Sequence, residues 1–380
     1  MTGIMEVLLG QERIGTLQLL SGARSFFEFE ESYLNNPQRP VLSQSFFKPS
    51  GELLTETKTT QVKLPPFFSN LLPEGHLRKY LARRGNVKPE REFMLLKLLG
   101  DDLPGAVVVR PLGEPKTHKD EEPEAENQKE EKPYHFSLAG VQLKFSALEG
   151  KRGGLAIPVG GVGGDWIVKL PSLNFPQVPE NEWAMLHLAG EIGIPIPESR
   201  LVNLDKIEGL PDVGALSGKN ALAVKRFDRT AGGKRIHIED FAQVYNLYPD
   251  DKYGKVSYAN IAQLLWTLTG EKGLTAFIYS DGRTPALTPA YDFISTVPYM
   301  PDDGLALTLS DTKDMKAVTL DHFKRLVKKA GVPEHLVLQT VKATVGSTLA
   351  AWDASYKSYD LSDDILERMQ KHMQSLLIVT

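Results

Sequence analysis

The sequence of 380 residues contains no cysteine. This excludes a disulfide framework, a thiolate metal site, an iron–sulfur cluster and a cysteine nucleophile, and it fits a reducing compartment. The chain also has no run of about 18 apolar residues, the length that a membrane span needs. Its first residues lack the basic segment of a secretory signal. We therefore expect a cytoplasmic protein with no membrane association.

Strong charge and the common nucleotide-binding motifs are also missing. The formal net charge of -4 and the pI of about 6.1 argue against a protein that coats nucleic acid. The stretch Gly214–Asn220 has three rather than four residues between its glycines and Asn after its Lys, so it is not a Walker A loop. The cluster Gly160–Gly164 lacks the GxGxxG spacing, which favours a turn. The sequence has no HExxH zinc motif.

Hydrophobic periodicity divides the chain into segments of different character. Residues 1–112 combine short strand-like runs with helical patterns, and we expect a small α+β domain there. Residues 113–133 have no large aliphatic or aromatic residue and are rich in Glu, Lys and Pro, which predicts an acidic flexible linker. Residues 134–226 are rich in predicted strands and residues 227–380 in predicted helices. The second part is therefore expected to be a two-lobed unit.

One lysine lies inside an apolar, strand-like run. Lys169 follows Trp166, Ile167 and Val168, and such a lysine on its own is more often an edge or snorkelling residue than a phosphate ligand. Thirteen residues later, Glu182 lies near the start of a predicted helix. A lysine on a strand and a glutamate on a helix form the ion pair with which protein kinases orient phosphates. The two residues together predict such a pair.

Two further stretches have the composition of phosphate and metal sites. Residues Phe136–Lys144 place small residues and a lysine in a turn between predicted strands, where backbone N–H groups and an ammonium can hold phosphates. Residues Phe277–Thr284 predict a hairpin with Asp-Gly at its turn, and Asp292 follows it. A kinase places its magnesium-ligating aspartate there. A cap or turn role is the simpler interpretation of Asp292 alone.

The order of these stretches resembles that of the HipA family, the serine/threonine protein kinase toxins of bacterial type II toxin–antitoxin modules. The resemblance extends over nearly the whole chain, and several motifs in one order are more specific than any single motif. The matching stretches are Phe67–Gly75, Ser137–Lys144, Ile167–Pro171, Asn181–Glu182, Val224–Arg229 and Pro289–Asp292.

The resemblance implies an N-terminal α+β domain and a kinase-like unit of the HipA and phosphatidylinositol 3/4-kinase type, with a strand-rich N-lobe and an all-helical C-lobe. It implies ATP and Mg²⁺ as cofactors, with Lys169 on the phosphates, Glu182 orienting it and Asp292 on the metal. Ser137 would be autophosphorylated, which adds negative charge beside the nucleotide and switches the kinase off. The implied phosphate loop is Ala139, Gly140, Val141, Gln142, Leu143 and Lys144, and the implied adenine hinge is Lys225, Arg226 and Phe227.

Partners are implied by the same resemblance. The N-terminal domain, residues 1–112, corresponds to the part of the family that meets a HipB-like helix-turn-helix antitoxin. The expected substrate is a translation-related protein, an aminoacyl-tRNA synthetase and glutamyl-tRNA synthetase in particular. DNA contact is expected mainly through the antitoxin. The basic run Lys324–Lys329 on a predicted helix is more simply a solvated face than a DNA-binding patch.

The sequence departs from the family pattern where the catalytic loop belongs. The family carries an Asp base, a His and a metal-binding Asn before the hairpin, but Ile261 to Ser280 contains no Asp, Asn or His. No catalytic base is therefore identified. One hypothesis is that the protein is a kinase whose loop is missing from this sequence between Gly270 and Gly273. A true loss of the loop and its core helix would expose apolar surface on the neighbouring helices, which a stable domain rarely tolerates, and this favours the hypothesis.

Two other hypotheses stay open. In the first, the loop is truly lost, and the chain is a catalytically inactive HipA-like pseudokinase that binds nucleotide and either pairs with an antitoxin or regulates another kinase. Alternatively it is a structural protein in which the lysine and aspartate side chains only stabilise turns.

Overall fold

The computed structural model describes residues 3–55, 57–113, 142–150, 154–158, 163–172, 174–211, 213–214, 216–230, 232–269, 276–301 and 303–378. The strands within these ranges are β1 Gly3–Leu9, β2 Glu12–Leu20, β3 Arg24–Phe29, β4 Thr60–Gln61, β5 Val107–Pro111, β6 Lys144–Glu149, β7 Leu155–Ala156, β8 Trp166–Lys169, β9 Ser199–Asn203, β10 Ile207–Glu208, β11 Asn220–Lys225, β12 His237–Glu239, β13 Phe277–Tyr279 and β14 Ala286–Leu287. The α-helices are α1 Glu31–Leu34, α2 Pro66–Ser69, α3 Gly75–Arg84, α4 Glu92–Leu99, α5 Val178–Glu191, α6 Phe241–Val244, α7 Tyr258–Thr269, α8 Leu320–Ala330, α9 Glu334–Ser355 and α10 Asp363–Gln374.

The α+β prediction is confirmed, because sheets dominate the first half of the chain and helices its C-terminal region. The prediction of an all-helical C-lobe is wrong in detail, since β12, β13 and β14 lie beyond residue 227. The stretch Leu155–Leu170, expected to form strands around a Gly-rich turn, contains the separate strands β7 and β8. Gly163, with φ +93°, lies between them in a conformation that a strand does not use.

The chain divides into two compact units, which are described separately below. Unit 1 consists of Met1–Asp165, Asp228–Tyr248 and Asp281–Arg283, and unit 2 of Trp166–Phe227, Pro249–Ser280 and Thr284–Thr380. The predicted linker, apart from Gly113, lies outside the described residues. The domain boundaries drawn from the sequence therefore stay predictions.

An antiparallel sheet of five strands, in the order β4-β3-β2-β1-β5, forms the base of unit 1. Along β1, Met5, Val7 and Leu9 are buried, as the period of two of a strand with one covered face requires. Opposite Val7 lies Gly15, where a Cβ would come 2.3 Å from the carbonyl oxygen of Glu28. Glycine is needed here because the neighbouring strand passes too close for any side chain.

The helices of unit 1 are joined through one buried carboxylate. Glu92, at the start of α4, accepts hydrogen bonds from the Leu64 N–H at 2.8 Å and the Ser69 hydroxyl at 3.0 Å. It also forms an ion pair with Arg78 of α3 at 3.2 Å. A buried carboxylate needs such partners to remain charged. The stretch Phe67–Gly75 is thereby fixed to both α3 and α4.

A second buried network in unit 1 is centred on Arg229. Its guanidinium donates to Asp102 at 2.7 Å and to Asp228 at 2.8 Å, and also to the carbonyl oxygens of Leu103 and Gly105. Asp228 in turn accepts from the Gly105 N–H at 2.8 Å. These bonds fix the end of the stretch Val224–Arg229 to the turn before β5.

In unit 2, β11 is paired antiparallel with β8 on one side and β9 on the other. Helix α5 packs on this sheet through Leu186, which contacts Leu222 and Val224. The C-terminal helices form two further apolar clusters, one around Leu326 and Val327 and one around Trp352. In the part of the chain that the structure describes, no helix has the length and hydrophobicity to cross a bilayer.

A pH-dependent contribution to the stability of unit 1 comes from His237. Its Nε2–H donates to the carbonyl oxygen of Leu42 at 2.7 Å, and burial lowers the pKa of the imidazole to about 4. Between the ordinary histidine pKa of 6.5 and about 4, the unfolded chain binds a proton that the folded chain does not. This group should therefore remove about 3 kcal/mol of unfolding free energy as the pH falls through that range.

Replacing the imidazole by an amide tests this contribution. Because Gln keeps a donor for Leu42 but does not titrate, His237→Gln should flatten the dependence of unfolding free energy on pH between 6.5 and 4. Chemical denaturation at several pH values measures it. His335→Gln, at an exposed position, is the control and should leave the slope unchanged. An unaltered slope in His237→Gln would show that His237 does not contribute.

Candidate functional site

The central side chain of the site, Lys169, ends strand β8. The register pairs Lys169 with Leu222 of β11, and the alternate side chains Trp166 and Val168 are fully buried. Lys169 itself is 4% exposed. An ammonium this deep in an apolar sheet is costly unless carboxylates surround it. The edge and snorkelling interpretations of Lys169 are therefore excluded by its burial.

The first carboxylate is supplied by α5. This helix begins at Val178 with Pro179 in its first turn, a position that proline favours. Glu182 lies one turn further on, is 2% exposed, and accepts from the Lys169 ammonium with an Nζ–Oε1 distance of 2.5 Å. The strand-lysine and helix-glutamate pair expected from the sequence thus forms in the structure.

Asp292 supplies the second carboxylate. Its Oδ1 accepts a hydrogen bond from the same ammonium. In contrast to Glu182, the side chain of Asp292 is half-exposed, at 51%. Its backbone has φ +53°, in the left-handed region that only a few per cent of residues other than glycine adopt. Asp292 therefore combines an accessible carboxylate with a strained backbone, a combination common at functional sites.

The charge of Lys169 is set by two opposing effects. Burial disfavours the ammonium and acts to lower its pKa, but the nearby charges of Asp292 and Glu182 and their hydrogen bonds outweigh it. The pKa of Lys169 is therefore raised above its ordinary value. The two carboxylates therefore favour the charged form of Lys169.

The residues expected at the adenine hinge lie at the end of β11. Lys225 is 3.5 Å from a carboxylate oxygen of Glu198 and its ammonium lies over the Trp166 ring, 5.5 Å from the centroid. Arg226 is buried. The Phe227 ring contacts that of Tyr291, with centroids 5.4 Å apart. The end of β11 therefore meets the segment that carries Asp292.

The predicted phosphate loop is described only in part. Ser137, Ala139, Gly140 and Val141 lie outside the described residues. Gln142 and Leu143 are half-buried, and Lys144 is buried at the start of β6, in unit 1. The roles assigned to these residues stay predictions.

The structure describes both sides of the stretch in which the family's catalytic loop is expected, but not residues 270–275. Residues Ile261 to Thr269 belong to α7, and Phe277 begins β13. Gly270 and Gly273 lie outside the described residues, so the predicted interruption there stays a prediction.

The basic run Lys324–Lys329 lies on α8, and Lys324 pairs with Asp321 at 2.8 Å. This pairing agrees with a solvated face.

One functional candidate was not found from the sequence. The Asn181 amide is fully buried and hydrogen bonds to the backbone of Ser295, three residues after Asp292. The sequence places Asn181 in the matching stretch Asn181–Glu182 but assigns it no role of its own. The buried network of Asp228 and Arg229 was also missed, because their partners are more than a hundred residues away.

Comparison with known proteins identifies the family. Residues 136–277 match the HipA-like C-terminal domain, and residues 5–110 match the HipA N-terminal domain. A Sinorhizobium fredii protein named "Putative kinase Y4dM" is 45% identical over 399 aligned positions, which cover 97% of this chain and 96% of the relative. The chain belongs to the HipA family.

More distant HipA proteins agree with this assignment. The serine/threonine-protein kinase toxin HipA of Shewanella oneidensis is 24% identical, over 89% of this chain and 86% of the relative. A solved complex of Shewanella oneidensis HipA, HipB and operator DNA matches with a TM-score of 0.69 at 21% identity, covering 98% of this chain and 96% of the other. The latter likeness shows a shared fold.

The alignment to the Sinorhizobium fredii relative is longer than the part of this chain that it covers. Since 97% of 380 residues is about 369 residues, about 30 of the 399 aligned positions have no residue in this HipA chain. The match to the HipA-like C-terminal domain ends at residue 277, before Asp292.

The residues of this site fit a nucleotide with its Mg²⁺. Magnesium is usually held by one or two carboxylates together with phosphate oxygens rather than by a cage of protein ligands. Asp292 offers one accessible carboxylate, and Lys169 a fixed cation beside it. Among the residues that the structure describes, no three His, Cys, Asp or Glu side chains form a complete metal site. A Mg²⁺ ion held by Asp292 would therefore take further ligands from phosphate oxygens or water.

The buried pair of Lys169 and Glu182 should dominate the local stability. Lys169→Met leaves Glu182 buried without its cation and should lower the free energy of unfolding by about 3 kcal/mol. Lys169→Met combined with Glu182→Leu should recover most of that loss, since it removes both charges. Chemical denaturation of the three proteins measures both effects.

Lys225→Met is the matched control. Its ion pair with Glu198 is exposed, so its loss should cost less than about 1 kcal/mol. Equal losses for Lys169→Met and Lys225→Met would contradict the assignment of Lys169 as a buried, paired cation.

Proposed function

We propose that this HipA-family chain is a serine/threonine protein kinase that binds ATP and Mg²⁺ around Lys169, Glu182 and Asp292. The observation that carries the proposal is the buried ammonium of Lys169, held between one buried and one accessible carboxylate. A purely structural ion pair would gain nothing from an exposed carboxylate on a strained backbone. Phosphoryl transfer, in contrast, depends on a fixed cation and a metal-binding carboxylate.

In the proposed complex each side chain has a separate task. Glu182 keeps the Lys169 ammonium in position to donate hydrogen bonds to phosphate oxygens. Asp292 would hold Mg²⁺, which when bound neutralises the charge of the phosphates. Lys225, Arg226 and Phe227 would line the adenine, and the contact of Phe227 with Tyr291 supports this by joining the hinge to the Asp292 segment.

The phosphate loop and its control are part of the same proposal. Residues Ala139 to Lys144 would contact the phosphates through backbone N–H groups and the Lys144 ammonium. Autophosphorylation of Ser137 would place about two negative charges beside the nucleotide phosphates and expel the loop. Both statements rest on the resemblance of this stretch to the family.

The named relatives support part of the proposed biological role. A toxin name among them and a solved HipA complex with HipB and operator DNA support the proposal that residues 1–112 meet a HipB-like antitoxin and that DNA contact is mainly indirect. The protein substrate would be a translation-related protein, with an aminoacyl-tRNA synthetase such as glutamyl-tRNA synthetase as the first candidate.

A second candidate function is favoured by one specific observation. The chain has no Asp, Asn or His between Ile261 and Ser280, where the family's catalytic loop belongs. Without a base to orient the acceptor hydroxyl, transfer would be lost while nucleotide binding remains. The chain would then be a pseudokinase that pairs with an antitoxin or regulates another kinase.

Binding and transfer should be measured separately on the same protein. Calorimetry should show Mg²⁺-dependent ATP binding by the native chain, and Lys169→Ala should weaken it at least about 10-fold because it removes a charged contact to phosphate. Lys328→Ala, at an exposed lysine of α8, is the control. Unchanged affinity in Lys169→Ala would overturn the proposed site and favour a structural role.

Incubation with radiolabelled ATP and Mg²⁺ then decides between the two candidates. Label on the chain itself or on glutamyl-tRNA synthetase supports the kinase. Binding without any label supports the pseudokinase. Replacing residues 270–275 by the stretch that the Sinorhizobium fredii relative carries between its counterparts of Thr269 and Ala276 should then produce transfer, and failure to do so would contradict loss of the loop as the cause.

A further inference from the structure

A buried amide joins helix α5 to the segment that carries Asp292. The Asn181 side chain donates to the Ser295 carbonyl oxygen at 2.9 Å and to the Tyr299 hydroxyl at 3.1 Å, and its Oδ1 accepts from the Ser295 N–H at 3.1 Å. Asn181 is fully buried. An amide has two donor hydrogens, so both are used here.

These bonds fix the backbone on one side of Asp292, and a second anchor fixes the other side. The Ala290 N–H donates to the carbonyl oxygen of Pro195 at 2.8 Å. Pro195 follows the end of α5, and Asn181 lies in its first turns. Asp292 is thus held between two anchors on the same part of unit 2, one provided by a side chain and one by backbone alone.

The conformation of Asp292 needs such anchors. A strained backbone persists only where the surrounding structure determines it, and Asp292 has φ +53°. Its own half-exposed carboxylate bonds to Lys169 in the structure. In the proposed function the Lys169 ammonium donates its hydrogen bonds to the phosphates of a bound nucleotide instead of to Asp292. The hydrogen bond to Lys169 then no longer holds Asp292, whereas the Asn181 bonds remain.

We propose that Asn181 is a positioning residue that keeps the Asp292 carboxylate directed at the metal once nucleotide occupies Lys169. The inference rests on the proposed function and deepens it. Helix α5 then provides both residues: Glu182 orients the Lys169 ammonium toward the phosphates, and Asn181 orients the Asp292 carboxylate toward Mg²⁺. A merely structural Asn181 would instead only hold α5 in place.

The two roles differ in how a variant depends on metal. Asn181→Leu has the same shape without hydrogen bonds. In the full chain it should leave the affinity for ATP without Mg²⁺ within about 2-fold, because Lys169 and Glu182 are unchanged. The increase in affinity that Mg²⁺ gives should fall at least about 10-fold, the effect of losing contacts of this kind. Calorimetry with and without Mg²⁺ measures both.

Two further variants calibrate the result. Asp292→Asn removes the metal-binding charge itself and should lose the whole Mg²⁺ effect. Asn220→Leu removes another hydrogen bond from a side-chain amide to α5, the 3.1 Å bond from Asn220 to Glu180. This bond does not involve the segment that carries Asp292. The variant should retain the full Mg²⁺ effect. If Asn181→Leu does not fold, Asn181→Ala removes the same bonds with only a small void.

The outcomes separate this inference from the proposed function. A native chain that binds no ATP overturns the proposed function and with it this role. Native binding with an unchanged Mg²⁺ effect in Asn181→Leu overturns the positioning role alone. A parallel loss of affinity with and without Mg²⁺ also overturns it, because it shows a structural role. Selective loss of the Mg²⁺ effect supports it.

Discussion

The structure of unit 2 depends on a lysine ammonium buried at the end of a strand. Lys169 is 4% exposed, and a cation at that depth is tolerated only with carboxylates beside it. This requirement places Glu182, and therefore α5, against the sheet. It also draws Asp292 and its strained backbone to the same point. One electrostatic constraint thus brings a strand, a helix and a loop together into one site.

Much of this site could be predicted, because its signals are local. A lysine after three apolar residues predicts a strand, and a glutamate at the start of an amphipathic pattern predicts a helix; only the two together predict the ion pair. Thirteen residues separate them, which leaves a connection short enough for the two to meet. Asp292 was recognisable only through the order of motifs. Its backbone conformation depends on contacts that its neighbours in sequence do not reveal.

Long-range partners explain what the sequence did not show. Asn181 bonds to Ser295 and Arg229 to Asp102, more than a hundred residues away in each case. No local pattern distinguishes a buried asparagine that fixes a loop from one that caps a helix. The matching stretch Val224–Arg229 is divided between the two units. The expected hinge residues Lys225, Arg226 and Phe227 belong to unit 2, and Asp228 and Arg229 belong to a buried network in unit 1.

Membership of the HipA family and the geometry around Lys169 support the same proposal: a site that holds the phosphates and the metal of a nucleotide. A crystal structure of the full chain with a non-hydrolysable ATP analogue and Mg²⁺ tests the central claim most directly. The account predicts phosphate oxygens within hydrogen-bonding distance of the Lys169 ammonium, the pair with Glu182 retained and Mg²⁺ on Asp292. A nucleotide bound elsewhere, with Lys169 still bonded to both carboxylates, would contradict it.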